Sequence, residues 1–228
     1  MIIIIGDSWG VGEWDRECCL SGPGFGQLMM LHTSDGIVNL SAGNFSNTQA
    51  INRLELFFNR FSPNDTDTIY WVVTCPTRCV TEKYYIDMPG GIVDNSYEIL
   101  HKSLDRANQL AQQHNIKINL IGGLCDLDSV DVQQYSNLEM RVASWGRLLD
   151  ANYHTYPIMP AYLDTLGTLL KQQRPDLLDE WIEIVEQTQS KITCWKKMQY
   201  FSADGSHPDR NGHLVLRNHL YPEFSSIR

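Results

Sequence analysis

The chain opens on Met1-Ile2-Ile3-Ile4-Ile5-Gly6, and this run constrains the fold more than any other stretch. β-branched residues favour extended backbone. Four in succession leave no polar face, so a strand built from them must be covered on both sides, as an interior strand of a parallel sheet is. Residues 68–74 (Thr-Ile-Tyr-Trp-Val-Val-Thr) form a second run of this kind, ended by Pro76. Shorter strands are expected at 37–40, before the turn Ser41-Ala42-Gly43-Asn44, and at 117–121, before Gly122-Gly123. Between them the spacing predicts a helix over 47–61, with Ile51, Leu54, Phe57 and Phe58 facing a core, and another over 95–114. Strand, helix, strand, helix, strand implies right-handed crossovers and an α/β fold whose sheet is covered on both faces. Farther on, 133–149, 161–173 and 176–189 read as helices, and Asp209 can cap a last helix running to about 220.

A chain of 228 residues is long enough to bury a core without a disulfide or metal staple. No repeat or flexible linker interrupts it, so one domain over 1–228 is expected, with a helical region at about 124–200 whose arrangement the pattern leaves open. Lys and Arg number 18 against 27 Asp and Glu, a net charge of −9. That balance lacks the concentrated cationic face that nucleic acid or an anionic membrane requires. The first apolar run is too short for a secretory signal, and no stretch approaches a membrane span. A cytoplasmic site of synthesis is the expectation, with release in a virus particle as a further route. The six cysteines are scattered. Cys75 and Cys79 have CxxxC spacing with no second pair at zinc-ribbon distance, so reduced, mostly buried thiols are expected and no metal.

In open α/β sheets, functional residues collect beyond the carboxyl ends of the strands. Those ends carry Asp7-Ser8, Ala42-Gly43-Asn44, Thr74-Cys75-Pro76-Thr77-Arg78 and Gly122-Gly123-Leu124. Ser8 stands at a strand-to-helix turn, where a hydroxyl is exposed close to helix N–H groups able to stabilise an oxyanion. A hydroxyl is a weak nucleophile and needs a base. Asp204-Gly205-Ser206-His207-Pro208 offers one: a carboxylate three residues ahead of an imidazole can accept its Nδ1–H and leave Nε2 to take a proton. Each motif alone is common, Ser8 as a helix cap and the DxxH as a surface turn.

Together they are far more specific. Ile5-Gly6-Asp7-Ser8-Trp9-Gly10, Asn39-Leu40-Ser41-Ala42-Gly43-Asn44 and Asp204-Gly205-Ser206-His207-Pro208 through Gly212-His213 resemble, in order and spacing, the SGNH/GDSL hydrolase family. The resemblance implies a three-layer α/β/α sandwich with a flavodoxin-like parallel sheet, and ester hydrolysis without a cofactor. By it Ser8 is the nucleophile, His207 the general base and then acid, and Asp204 the residue that orients the histidine. The backbone N–H groups of Ser8 and Gly43 are two oxyanion donors, and Asp7 fixes the Ser8 loop. The family also carries a Gly-x-Asn-Asp segment after its third strand, whose asparagine completes the oxyanion hole. Here that place reads Val73-Thr74-Cys75-Pro76-Thr77-Arg78. Thr74, Thr77, Arg78 or the neighbouring Asn44 are the candidates to replace it, and Arg78 is equally a candidate for an anionic part of the substrate.

Other conspicuous residues have plainer readings. Trp9, Trp14, Trp71, Tyr84 and Tyr85 line a cleft or simply pack. Asp126 and Asp128 read as turn carboxylates, and His213 as a structural hydrogen-bonding residue. Gly22-Pro23-Gly24-Phe25-Gly26 reads as a flexible loop bordering the cleft. The expected activity is hydrolysis of a small acyl ester, an O-acetylated carbohydrate leading by family analogy. The alternatives are a binding or structural module of this fold that has lost turnover, and an O-acyltransferase using the same residues.

Overall fold

The computed structural model describes residues 1–14, 20–30, 36–76, 78, 86–123, 125–149, 163–195, 200–201 and 207–226. Asp204, Thr77, Tyr84 and Tyr85 lie outside them, as does the side chain of Trp14. Five parallel strands make the central sheet: β1 (Ile2–Gly6), β4 (Ile37–Asn39), β5 (Thr68–Val73), β6 (Ile118–Gly122) and β7 (Leu138–Val142). Their order is β4-β1-β5-β6-β7, the flavodoxin-like arrangement in which the chain reverses direction across the sheet at its first strand. A two-stranded antiparallel ribbon, β2 (Gly12–Trp14) with β3 (Leu20–Pro23), follows β1.

The alternation of the strand residues explains the layers. Ile3, Ile5, Ile69, Trp71, Val73, Ile118 and Leu120 face one side, where they pack against α3 (Asn47–Phe58) and α4 (Ile92–Gln113). Ile2, Ile4, Tyr70, Val72 and Ile121 face the other. There they meet Trp9 of α1 (Ser8–Val11), Phe25 and Met29 of α2 (Phe25–Met30), Trp145 of α5 (Trp145–Leu149), and Leu216 and Leu220 of α8 (Arg210–Leu220). The four isoleucines of β1 are all buried, each worth about 1.5–3 kcal/mol relative to exposure. The result is a three-layer α/β/α sandwich.

A third, smaller cluster stands beside this sandwich. Leu166 and Leu170 of α6 (Leu163–Gln173), Leu177, and Ile184 of α7 (Leu178–Trp195) pack on Ile92 at the start of α4. Polar contacts tie the same place. Gly91, the N-cap of α4, has no side chain to satisfy the first helical N–H groups. Glu180 does so instead, its carboxylate accepting from Ile92 N–H and Val93 N–H at 3.0 Å each. A Cβ on Gly91 would come within 2.9 Å of that carboxylate. Arg174 donates to Met88 O at 2.9 Å.

Two expectations need correction. The stretch 133–149 is not one helix: a 3-10 turn at Val132–Gln134 leads into β7, and only Trp145–Leu149 is helical. Leu138 and Val142 are four apart, a spacing that a helix and a strand both place on one face. The intervening Glu139 and Arg141 are exposed, as on an edge strand. Gly22–Gly26 is not a loose loop either. Its first residues belong to β3, and Gly24, Phe25 and Gly26 are buried at the start of α2. No helix among the described residues is long and apolar enough to cross a membrane.

Candidate active site

Ser8 and His207 are 199 residues apart in the chain, and His207 Nε2 lies 3.0 Å from Ser8 Oγ. The local sequence places the serine. Gly6 ends β1 at φ +149°, backbone that favours glycine, and a Cβ there would stand 2.6 Å from Val72 O. This bend turns Asp7 into the N-cap of α1. Its carboxylate accepts from Trp9 N–H at 3.0 Å and its carbonyl from Gly10 N–H at 3.0 Å. Ser8 is the first residue of the helix, 4% exposed. Asn39 holds the far end of this short helix. Its Nδ2 donates to Gly10 O at 2.8 Å and Val11 O at 3.2 Å, satisfying carbonyls that so short a helix leaves over. Its Oδ1 accepts from Ser41 N–H. The Ser41–Asn44 turn is therefore bound to the serine turn. Ala42 N–H also donates to Gly6 O at 3.3 Å, so Gly43 follows directly on the end of β1. Asn44 takes the left-handed conformation, φ 64°, and both Gly43 and Asn44 are exposed.

The histidine is held by the start of α8. Asp209 caps that helix, accepting from Gly212 N–H at 2.9 Å, and its own N–H donates to Tyr200 O at 2.9 Å. Pro208 bridges to Phe201. The Trp145 indole donates to Gly212 O at 3.3 Å. Apolar packing joins the two halves: the ring of Trp9, next to Ser8, stands edge-on to Trp145 at 5.3 Å and to Phe201 at 6.0 Å. Trp9 is fully buried, so it packs and does not line a cleft.

The opposite flank is polar. Asp7 is fully buried, a costly place for a carboxylate unless charge and hydrogen bonds compensate. Besides Trp9 N–H it accepts from Thr74 Oγ1–H at 2.5 Å, and Arg78 Nη1 lies 3.3 Å from the same oxygen, Oδ2. Thr74 is held in turn by Asn47 at the start of α3. Asn47 Nδ2 donates to Thr74 O and Oδ1 accepts from Thr74 N–H, each at 2.9 Å. A hydroxyl has one proton, and that of Thr74 goes to Asp7. Thr74 and Arg78 are thus both engaged with Asp7, while Thr77 and Asp204 lie outside the described residues.

Asn47, Trp145 and Phe201 support the site without having been legible as its parts, and Asn39 was legible only as the first residue of the Asn39–Asn44 segment. Nothing in one sequence marks an asparagine that braces a distant backbone. Asp126 and Asp128 both pair with Arg147, which makes them structural turn carboxylates. His213 is fully buried, its Nδ1 accepting from Phe25 N–H at 3.2 Å. Burial, chiefly, pushes its pKa down to about 4, with the charge of His207 adding to the fall and the Gly12 backbone opposing it. Cys75 and Cys125 are buried thiols outside any disulfide, and burial pushes the Cys125 thiol up, away from reactivity. No group of metal-ligating side chains occurs among the described residues.

A flavodoxin-like α/β/α sandwich with a serine–histidine pair beyond its first strand is the class that fold and site define. No family model matches the chain, and no curated protein does. Among solved structures it is similar to one described as TesA, at 13% identity over 100% of this chain and 99% of that one, TM-score 0.47. It is similar to the psychrotrophic esterase EstA from Pseudoalteromonas sp., at 12% identity over 99% and 96%, TM-score 0.48. A third is a member of the lipolytic protein G-D-S-L family from Veillonella parvula DSM 2008, at 13% identity over 100% and 98%, TM-score 0.45.

Proposed function

We propose that this chain is a single-domain serine ester hydrolase of the SGNH/GDSL type. The observation that carries the proposal is the 3.0 Å approach of His207 Nε2 to Ser8 Oγ at the carboxyl edge of a parallel sheet. With the ring proton on Nδ1, Ser8 O–H donates to Nε2, which is the arrangement a serine nucleophile needs. Ser8 attacks the ester carbonyl as His207 takes its proton. The tetrahedral oxyanion is stabilised by the N–H groups of Ser8 and Gly43. His207 then protonates the leaving alcohol, and a water activated by the same ring releases the acid. The motif Asp204-Gly205-Ser206-His207 assigns to Asp204 the part of orienting the ring through Nδ1–H and stabilising the imidazolium. A small acyl group, acetyl on a carbohydrate first among them, is the substrate class.

The third oxyanion donor of the family has no asparagine to supply it here. Thr74 cannot turn its hydroxyl proton to an oxyanion without abandoning Asp7. One missing donor costs about 10²–10³ in rate, so this enzyme should favour esters with good leaving groups. The test is hydrolysis of 4-nitrophenyl acetate and acetylated glycans by wild type, Ser8→Ala and His207→Ala. Loss of turnover in both folded variants is expected, at about 10³-fold or more. A folded wild type without turnover, or variants that keep it, would overturn the reading.

A further inference from the structure

A cavity of about 300 Å³ opens at Arg78, next to the Asn47 and Pro76 positions. Its described lining includes Ser46, Thr48, Gln49, Arg78, Ile99 and Ser103. Arg78 is the one charged residue among the described lining residues, in a chain whose net charge is −9. The guanidinium is held in place by Asp7, at 3.3 Å from Nη1. That contact engages one side of a group that carries five donors, and the buried Nη1 has no hydrogen bond of its own. Asp7 also accepts from Trp9 N–H and Thr74 O–H, so its negative charge is shared among three partners. Arg78 therefore brings to the cavity lining a positive charge that Asp7 neutralises only in part. Around it the lining is neutral and polar, with the exposed Thr48 at the rim and Ile99 supplying an apolar wall. The Ser103 hydroxyl is already committed to Ile99 O.

We propose that this cavity is a subsite for a carboxylate carried by the ester substrate, with Arg78 as the residue that selects it. A planar guanidinium with one carboxylate behind it matches a second planar anion of single charge. A doubly charged phosphate would exceed the charge available. Asp7 precedes Ser8 directly, so an anion on Arg78 anchors a substrate whose scissile carbonyl has only a short span to cross to the nucleophile. The proposal rests on the ester-hydrolase reading for its link to catalysis, but binding of the carboxylate itself does not.

The experiment uses two matched pairs, 4-acetoxybenzoate against 4-acetoxybenzamide, and monophenyl glutarate against its terminal amide. One places the carboxylate on the alcohol and the other on the acyl side. Wild type should show a kcat/KM ratio of about tenfold or more in favour of the acid in one pair. Arg78→Gln should bring that ratio to about one. Because that change unpairs Asp7 and threatens folding, Thr48→Asp is the second variant: it sets a like charge at the cavity rim, away from Asp7, and should lower the same ratio at least about fivefold. Calorimetric titration with glutarate runs alongside, with binding expected in wild type and at least about fivefold weaker in Thr48→Asp. Turnover with ratios near one in both pairs, or a ratio untouched by Thr48→Asp, overturns the subsite and leaves ester hydrolysis standing. Esters that are all inert count against hydrolysis alone, and glutarate titration then decides the subsite: Thr48-sensitive binding sustains it, absence of binding overturns it.

Discussion

The two flanks of Ser8 are built by opposite means. On the His207 side the site is held by apolar packing: Trp9, Trp145 and Phe201 lock the first and last segments of the chain together. On the Thr74 side it is held by a buried charge, with Asp7 gathering Thr74, Arg78 and Trp9 N–H around one carboxylate. Apolar packing fixes position and tolerates pH. A buried carboxylate fixes direction, and it is costly to disturb because each partner it loses is left unsatisfied. In the proposed mechanism the serine thus has a firmly packed neighbour for the proton transfer and a polar neighbour that orients its loop.

Removing one member from each flank should have distinct signatures. Phe201→Ala opens a hole between the rings of Trp9 and its neighbours and should cost about 3–4 kcal/mol by denaturant unfolding. It should also lower kcat, by about tenfold, as the Ser8–His207 distance loosens. Asp7→Ala should cost about 3 kcal/mol, since it leaves the Trp9 N–H, the Thr74 hydroxyl and a largely buried guanidinium without their acceptor. Asp7→Asn should recover part of that stability, which a purely apolar flank would not show.

The buried histidine of α8 gives a pH test of the packed flank. His213 has its pKa at about 4 when folded, against about 6.5 when unfolded. Between those values the unfolded chain binds more protons, so stability falls as pH drops through that window, by about 3 kcal/mol in all. Unfolding midpoints from pH 7 to pH 4 measure it. His213→Asn, which can still accept from Phe25 N–H, should flatten the profile; an unchanged slope would place the acid sensitivity elsewhere. The smallest effect belongs away from the site. Glu180→Ala removes the cap of α4 and should cost about 1 kcal/mol with activity unchanged, a result that would separate the α6–α7 packing from the chemistry.

The sequence made the sheet legible because four isoleucines in a row admit few environments. Ser8 and His207 were legible for a related reason, since each sits in a short motif whose neighbours (a strand end before one, a helix cap after the other) place it. The braces were not. Asn39 and Asn47 act through contacts across 29 and 27 residues, and no local pattern distinguishes them from turn asparagines. Strand β7 was hidden because Leu138 and Val142 suit either periodicity, and tertiary pairing with β6 decides between them. The hold of Glu180 on α4 crosses 88 residues and satisfies a helix start that a glycine cap leaves bare.

Site mapping with a fluorophosphonate tests the serine–histidine pair itself. Wild type should be modified at Ser8 Oγ, located by peptide mass spectrometry, with a rate that collapses in His207→Gln. Modification at another residue, or at Ser8 with the same rate in His207→Gln, would contradict a working serine–histidine pair.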